Sequence, residues 1–326
     1  MVSGEQLNVR NLFSCKMKRK NEASTASEGE QPLRKMFRPA IEELAEKKGR
    51  TCFVPILAEL QEGEDAAQYT SFFGGFTPYF NADEKWPKCG DCDSKMRLFF
   101  QIDLSTIPQK LQNRFGDSGL LQFFCCVDAE DSRPCDDSCD HFSSAYWVRI
   151  VQRSTAGFKS LKRICAERIL ESQEKGDLPK EIIPDLRELV ENTRLEILRG
   201  WQVKPPEDAK KNSFPFRVVT GWQEKQDYPN NMERDTEGVE KEVEKEDGSD
   251  WWQDKTVGGC KMGGWANWCQ DEDYADCPQC KAPMRNHVFQ LEEDELVPLM
   301  WGDSGTGQIL QCNTHKDVLT FGWSCC

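Results

Sequence analysis

Apolar runs of strand length recur in two stretches of the chain, and a stretch with helical spacing lies between them. Within residues 70–150, the segments MRLFFQI, LLQFFCCV and SAYWVRIVQ are short, apolar and bounded by turn-forming residues, which predicts strands. FPFRVVTGWQ (214–223) and the C-terminal stretch that follows the acidic run read the same way. The period changes over 154–213. There Leu186, Leu189, Val190, Thr193 and Ile197 share one helical face, and Gly200 sits just past its end. A shorter helix is predicted for PAIEELAEKKG, with Pro39 at its first position and Gly49 at its stop. Residues 1–35 are polar and aperiodic and read as a disordered tail. The pattern predicts an α+β chain, mostly antiparallel β. A first repeat (36–153) and a second repeat (214–326) flank a helical insert at 154–213.

The two β-rich stretches resemble each other in order and spacing, the signature of an internal repeat. Each opens on a glycine pair, Gly74-Gly75 and Gly263-Gly264. Each continues to a C-x2-C pair, Cys89/Cys92 and Cys277/Cys280, and then to Met96-Arg97 and Met284-Arg285. An apolar segment ending at Gln101 or Gln290 comes next, then Gly-Asp-Ser-Gly at 116–119 and 302–305. A second apolar segment carries Gln122 or Gln308 and ends at Cys126 or Cys312. Twelve residues then separate Cys126 from Cys139, and twelve separate Cys312 from Cys325.

That register predicts two four-cysteine metal sites: Cys89, Cys92, Cys126 and Cys139 in the first repeat, and Cys277, Cys280, Cys312 and Cys325 in the second. A C-x2-C turn lets two sulfurs converge on one point, and two further thiolates complete a tetrahedron suited to zinc. Four protein ligands leave no open position, so the predicted sites are structural. An iron–sulfur cluster is the alternative for the same donors. A thioredoxin-like role fits less well, because Pro87 and Pro278 favour a knuckle turn over a helix start. Cys125, Cys135 and Cys326 each lie beside an assigned ligand and are candidates to replace it. Cys15, Cys52, Cys165, Cys260 and Cys269 have no counterpart in the repeat and read as buried or free thiols.

Composition narrows the chemistry. Sixteen cysteines against three histidines require a mostly thiolate site. No secretory signal is visible at the N-terminus, so a reducing, cytoplasmic setting is expected, where clustered cysteines point to metal before disulfides. The cluster Lys16, Lys18, Arg19 and Lys20 reads as a solvated charge run, with nuclear import as its alternative. No apolar run approaches a membrane span. The net charge of -14 repels nucleic acid and favours a basic protein partner. Residues 234–250 concentrate acidic groups in an expected solvated loop, next to Trp251 and Trp252.

The run SFFGGFTPYFNADEKWPKC, with MRLFFQIDL, GDSGLLQFF, GWQEKQDYP, KMGGWANWCQ and WGDSGTGQI, resembles the YwqG-like family over roughly residues 65–326. The resemblance implies a duplicated α+β fold dominated by antiparallel strands and implies no activity. The first repeat departs from the second in carrying Phe115 where Trp301 stands, and the second lacks the Trp86-Pro87 pair. A fainter likeness, in the order Gly-Gly, C-x2-C, Met, glutamine-bearing strand and cysteine, is similar to the programmed cell death protein two family. That likeness implies a chaperone for a basic ribosomal protein.

Two further motifs are weighed and set aside. Gly-Asp-Ser-Gly resembles a serine-protease nucleophile segment, but a duplicated tight turn explains it better, since three histidines cannot serve both copies as placed. Cys325-Cys326 resembles a prenylation terminus, but the repeat already claims Cys325. The expectation is therefore a zinc-binding protein-interaction or scaffold module, chaperone-like for a basic client, with no catalytic residues assigned. An enzyme with a pocket between the repeats, using Asp117 and Asp303, is the alternative.

Overall fold

The computed structural model describes residues 47–61, 69–75, 78–81, 84–127, 135–152, 213–230, 232–233, 255–293 and 299–325. Among the described residues ten strands carry the fold: β1 (Arg50–Glu59), β2 (Phe72–Phe73), β3 (Arg97–Asp103), β4 (Leu120–Cys125), β5 (Tyr146–Val151), β6 (Arg217–Asp227), β7 (Lys261–Gly263), β8 (Asn286–Glu292), β9 (Thr306–Gln311) and β10 (Leu319–Ser324). A seven-residue helix, α1 (Gln109–Phe115), links β3 to β4. A 3-10 turn at Asp136–Cys139 precedes β5.

All the strands join one antiparallel sheet in the order β10-β9-β8-β7-β1-β6-β2-β3-β4-β5. The sheet curls until its edges nearly meet. Tyr146 Oη on β5 lies 2.8 Å from Thr320 Oγ1 on β10, and the Phe142 N–H donates to the same hydroxyl at 2.9 Å. At the centre, β1 and β6 run together from Arg50↔Asp227 to Glu59↔Arg217. The leading strand of each repeat is thus exchanged: β1 pairs with β7 of the second repeat, and β6 pairs with β2 of the first.

The duplication extends to single residues. A bulge falls between Leu98 and Phe100 on β3, and another between His287 and Phe289 on β8. Gln101 faces Gln122, and Gln290 faces Gln308. Gln101 accepts from the Tyr79 N–H at 2.8 Å, and Gln290 accepts from the Asn267 N–H at 2.9 Å. These amides satisfy the buried backbone where the chain leaves the glycine pairs. The pairs themselves require glycine, with φ near +70° at Gly74 (+65°) and Gly264 (+73°). A Cβ on Gly74 would sit 2.3 Å from the Pro215 carbonyl oxygen, and one on Gly264 would sit 2.2 Å from Asp227 Oδ2.

Strand alternation sorts the side chains between an inner core and outer ones. Inward residues of both repeats share one aromatic interior, with Phe100 and Phe289 centroids 4.8 Å apart and Phe123 and Phe321 4.5 Å apart. Outward residues build one satellite core per repeat: Phe80, Trp86, Leu98 and Phe124 in the first, and Trp268, Met284, Leu310 and Val318 in the second. Burial on both faces explains why the strands read as continuous apolar runs.

This architecture corrects the expected fold class. Among the described residues the chain is nearly all β, not α+β, with α1 the one α-helix longer than a turn. The curled sheet covers its own inner face, so no helical layer is needed to bury it. The helical insert predicted over 154–213 lies outside the described residues, save Ser213, as do the tail at 1–35 and the acidic loop at 234–250. Of the helix predicted from Pro39, residues 47 and 48 are described and helical, and the chain leaves it at Gly49. No helix among the described residues is long and apolar enough to cross a membrane.

One buried ion pair pins the exchanged strand. Asp227, at the end of β6, and Lys261, on β7, are both fully buried, with Nζ 2.8 Å from Oδ2. The same carboxylate accepts the N–H groups of Trp265 (2.7 Å), Val257 (2.8 Å) and Tyr228 (3.1 Å). Removing one partner of a buried pair strands the other charge, at a cost of about 3–5 kcal/mol. Asp227→Ala should lower stability to urea by that amount, whereas an effect below about 1 kcal/mol would place the pair outside the folding core.

Candidate metal centre

Each repeat hangs a cysteine knuckle on the end of its β hairpin. In the first, the Cys89 N–H donates to the Ser94 carbonyl at 2.8 Å and the Asp93 N–H to the Cys89 carbonyl at 3.1 Å. In the second, Cys277 N–H meets the Ala282 carbonyl at 2.9 Å and Lys281 N–H meets the Cys277 carbonyl at 2.8 Å. Asp93 and Lys281 take left-handed φ values of 57° and 59° at equivalent positions. The same turn is therefore built twice, and it aims the two sulfurs of each C-x2-C at the end of the hairpin's second strand.

The sulfurs at those strand ends meet them. Cys92 Sγ lies 3.4 Å from Cys126 Sγ, and Cys280 Sγ lies 3.6 Å from Cys312 Sγ. A tetrahedron with metal–sulfur bonds of about 2.3 Å has sulfur–sulfur edges of about 3.8 Å, close to both spacings. Four donors gather in each place, all within 4.8 Å of one another: Cys89, Cys92, Cys126 and Cys135, and separately Cys277, Cys280, Cys312 and His315. Each set could hold a metal ion.

The fourth donor of each set differs from the one the shared spacing selects. In the second repeat, Cys312 is followed by a tight turn that returns His315 at once. His315 Nδ1 sits 3.6 Å from Cys277 Sγ and 3.7 Å from Cys312 Sγ. Cys325 lies at the far end of the neighbouring strand, because Ser324 pairs with Thr306 at the start of β9. Six residue steps along the strand, about 20 Å, separate that point from Cys312. Cys325 instead packs against Gly302 and Gly305 of the Gly-Asp-Ser-Gly turn. In the first repeat the Cys135 N–H donates to the Cys126 carbonyl at 3.2 Å, which brings Cys135 to the cluster. Cys139 stands at the end of the 3-10 turn, with its Sγ 3.8 Å from Asp140 Oδ1. The matched twelve-residue interval does not place Cys139 or Cys325 in either set of four donors.

The remaining expected donors fall into place. Cys89, Cys92, Cys126, Cys277, Cys280 and Cys312 are brought together as two threes. Alternation along β4 decides between Cys125 and Cys126: Cys125 faces the aromatic interior and Cys126 the satellite core with the knuckle. Burial pushes the Cys125 thiol well up, as suits a core residue. Cys52 is pushed up to about 12, by burial first and the nearby Asp227 second. Within the clusters the thiols are driven apart: burial, then the neighbouring Cys92, pushes Cys126 well up, while Cys92 and Cys312 are pushed down. A hydrogen bond from the Ser94 side chain leads in bringing Cys92 down to about 7. At Cys312 burial works upward, but the N–H groups of His315 and Thr314 outweigh it and bring the thiol to about 6. Cys15, Cys165 and Cys326 lie outside the described residues.

Sequence reasoning passed over His315. Cys312-Asn-Thr-His315 is a C-x2-H, with the same ligand spacing as the C-x2-C it faces, and was the signal that could have found it. The other two histidines are engaged elsewhere. His287 is fully buried, 3.0 Å from the Gly263 carbonyl oxygen, and His141 meets Asp273 at 3.0 Å. Ser118 and Ser304 lie in exposed turns, and the partners of His141, His287 and His315 described here are other residues.

The site and fold define a duplicated β protein with a four-donor knuckle on each repeat. The chain belongs to the family described as "Domain of unknown function (DUF1963)", whose model matches residues 71–314, from the start of β2 into the second knuckle. No curated protein matches the chain in sequence.

The geometry predicts which substitutions lose metal. Cys135→Ser and His315→Ala should each remove one equivalent of bound metal, measured by elemental analysis of purified protein. Cys139→Ser and Cys325→Ser should remove none. Metal loss in Cys325→Ser with retention in His315→Ala would restore the spacing-based assignment.

Proposed function

We propose that both clusters bind zinc and that the protein is a zinc-stapled binding module. The observation that carries this reading is the closure of each set by four protein donors around one point. Seven thiolates and one imidazole are soft donors that suit zinc. A closed tetrahedron has no position for substrate or water, so the metal's work is structural. Each ion would tie a knuckle to its hairpin and seal the satellite core, which already includes Cys89 and Cys126 in one repeat and Cys277 and Cys312 in the other. Within the family, the motifs of this chain favour the YwqG-like branch.

The partner in this reading is a basic segment of another protein. Support comes from the net charge of -14, from the acidic run between Glu237 and Asp250, and from the adjoining Trp251-Trp252. Acidic surface steers a cationic chain over the roughly 8–10 Å that salt leaves unscreened, and aromatic side chains can then anchor it. The pattern-level likeness to the programmed cell death protein two family points toward a client of the same charge.

Two measurements test the reading. Purified protein should carry two zinc ions per chain. Because structural zinc contributes on the order of 10 kcal/mol to folding, chelation should melt the sheet. Folded, never-chelated protein with less than one zinc would refute it. In lysate pull-downs, full-length protein should capture basic proteins, less so as salt rises, and a variant lacking 234–250 should lose them. Equal capture by both would remove the acidic run from the interface.

A further inference from the structure

A cleft of about 440 Å³ opens where α1 of the first repeat meets the second knuckle, and four cations line it: Arg50, Arg114, Arg285 and Lys316. They come from four separate elements: the start of β1, the last turn of α1, the approach to β8, and the turn that carries His315. In a chain of net charge -14, such a convergence is set against the field of the whole molecule.

The cations are held in place by the fold. The Arg114 Nε–H donates to Asn286 Oδ1 at 2.5 Å, and the Asn286 amide donates to Gln311 Oε1 at 2.8 Å. Gln311 Nε2 donates in turn to the Lys316 carbonyl at 2.7 Å, while Lys316 Nζ donates to the Arg114 carbonyl at 2.9 Å. Arg50 stacks on Trp265, with its Cζ 3.3 Å from the ring centroid. Arg285 is shared with Glu233 and Glu272 at 3.5 and 3.4 Å. No carboxylate among the described residues forms an ion pair with Arg114 or Lys316. Burial, then the charge of Arg50, brings the Arg114 guanidinium down to about 10, which leaves it charged at neutral pH. Arg114 and Lys316 therefore add positive charge to the cleft beyond what the Arg285 carboxylates offset, and an anion is favoured there.

We propose that this cleft binds a small phosphate-bearing anion. A planar carboxylate is gripped along one edge by a single guanidinium. Here donors approach from several elements, which fits a tetrahedral group with several acceptor oxygens and a charge of about -1.5 to -2. At about 440 Å³ the open cleft has room for a phosphate that carries a further moiety. The surrounding negative field disfavours an extended polyanion and admits a compact one. Because Asn313 and Lys316 flank the His315 turn, the site is organised by the second knuckle, whichever metal that knuckle holds.

The test is calorimetric titration of full-length, metal-loaded protein with pyrophosphate, ATP and, for comparison, citrate. Pyrophosphate or ATP should bind one per chain and more tightly than citrate, and the difference between the two identifies whether a nucleoside adds contacts. Arg114→Gln and Lys316→Gln should each weaken binding about tenfold, the worth of one charge-assisted hydrogen bond. Lys88→Gln, in the first knuckle and away from the cleft, should leave it unchanged. Lys316 is exposed, so its variant carries the test if Arg114→Gln does not fold. No binding at about 10 mM of either phosphate probe, citrate binding as tightly as pyrophosphate, or affinity unaffected by Lys316→Gln would overturn the proposal.

Discussion

The ladder between β1 and β6 determines where everything else in the molecule can sit. It spans both strands end to end and joins two repeats that each lend their leading strand to the other. Because β1 completes the sheet of the second repeat and β6 that of the first, neither sheet is complete without the other half of the chain. The exchange also forces the inner faces together, so that phenylalanines of β3, β4, β8 and β10 fill one interior. The buried Asp227–Lys261 pair locks the far end of this ladder onto β7 and fixes the glycine turn that leads to the second knuckle.

From that frame, each hairpin projects an end bearing sulfur. The β3–β4 and β8–β9 hairpins share a bulge, a glutamine pair and a terminal cysteine, so their knuckles present donors in the same geometry. The repeats then diverge in how they supply the last donor. The first returns Cys135 from a loop, and the second returns His315 from a three-residue step. The second knuckle's turn meets α1, where Lys316 Nζ donates to the Arg114 carbonyl, and cations line a cleft there. Duplication built two equivalent donor sets, and the asymmetry between them places a cation-lined cleft beside the second.

Much of this was legible in the chain because it is local. The strands, the glycine pairs, the paired glutamines and six of the eight donors follow from period, turn chemistry and repeated order. What was not legible depends on distant pairing. The fourth donors were assigned by interval, yet interval measures contour length, and an antiparallel neighbour carries Cys325 away from Cys312 as surely as a turn brings His315 back. The choice between Cys125 and Cys126 needed the inward face of β4. The exchange of β1 and β6 links residues more than 150 positions apart and has no local signature. The expected α+β class rested on a helical insert at 154–213, which save Ser213 lies outside the described residues, and the described residues are nearly all β.

X-ray absorption at the zinc edge of the intact, purified protein tests the central claim, two closed knuckles of different composition, most directly. Two zinc ions per chain should share seven sulfurs and one nitrogen, the donors that converge in the structure. A sulfur-only shell, or a shell completed by water oxygen, would contradict it.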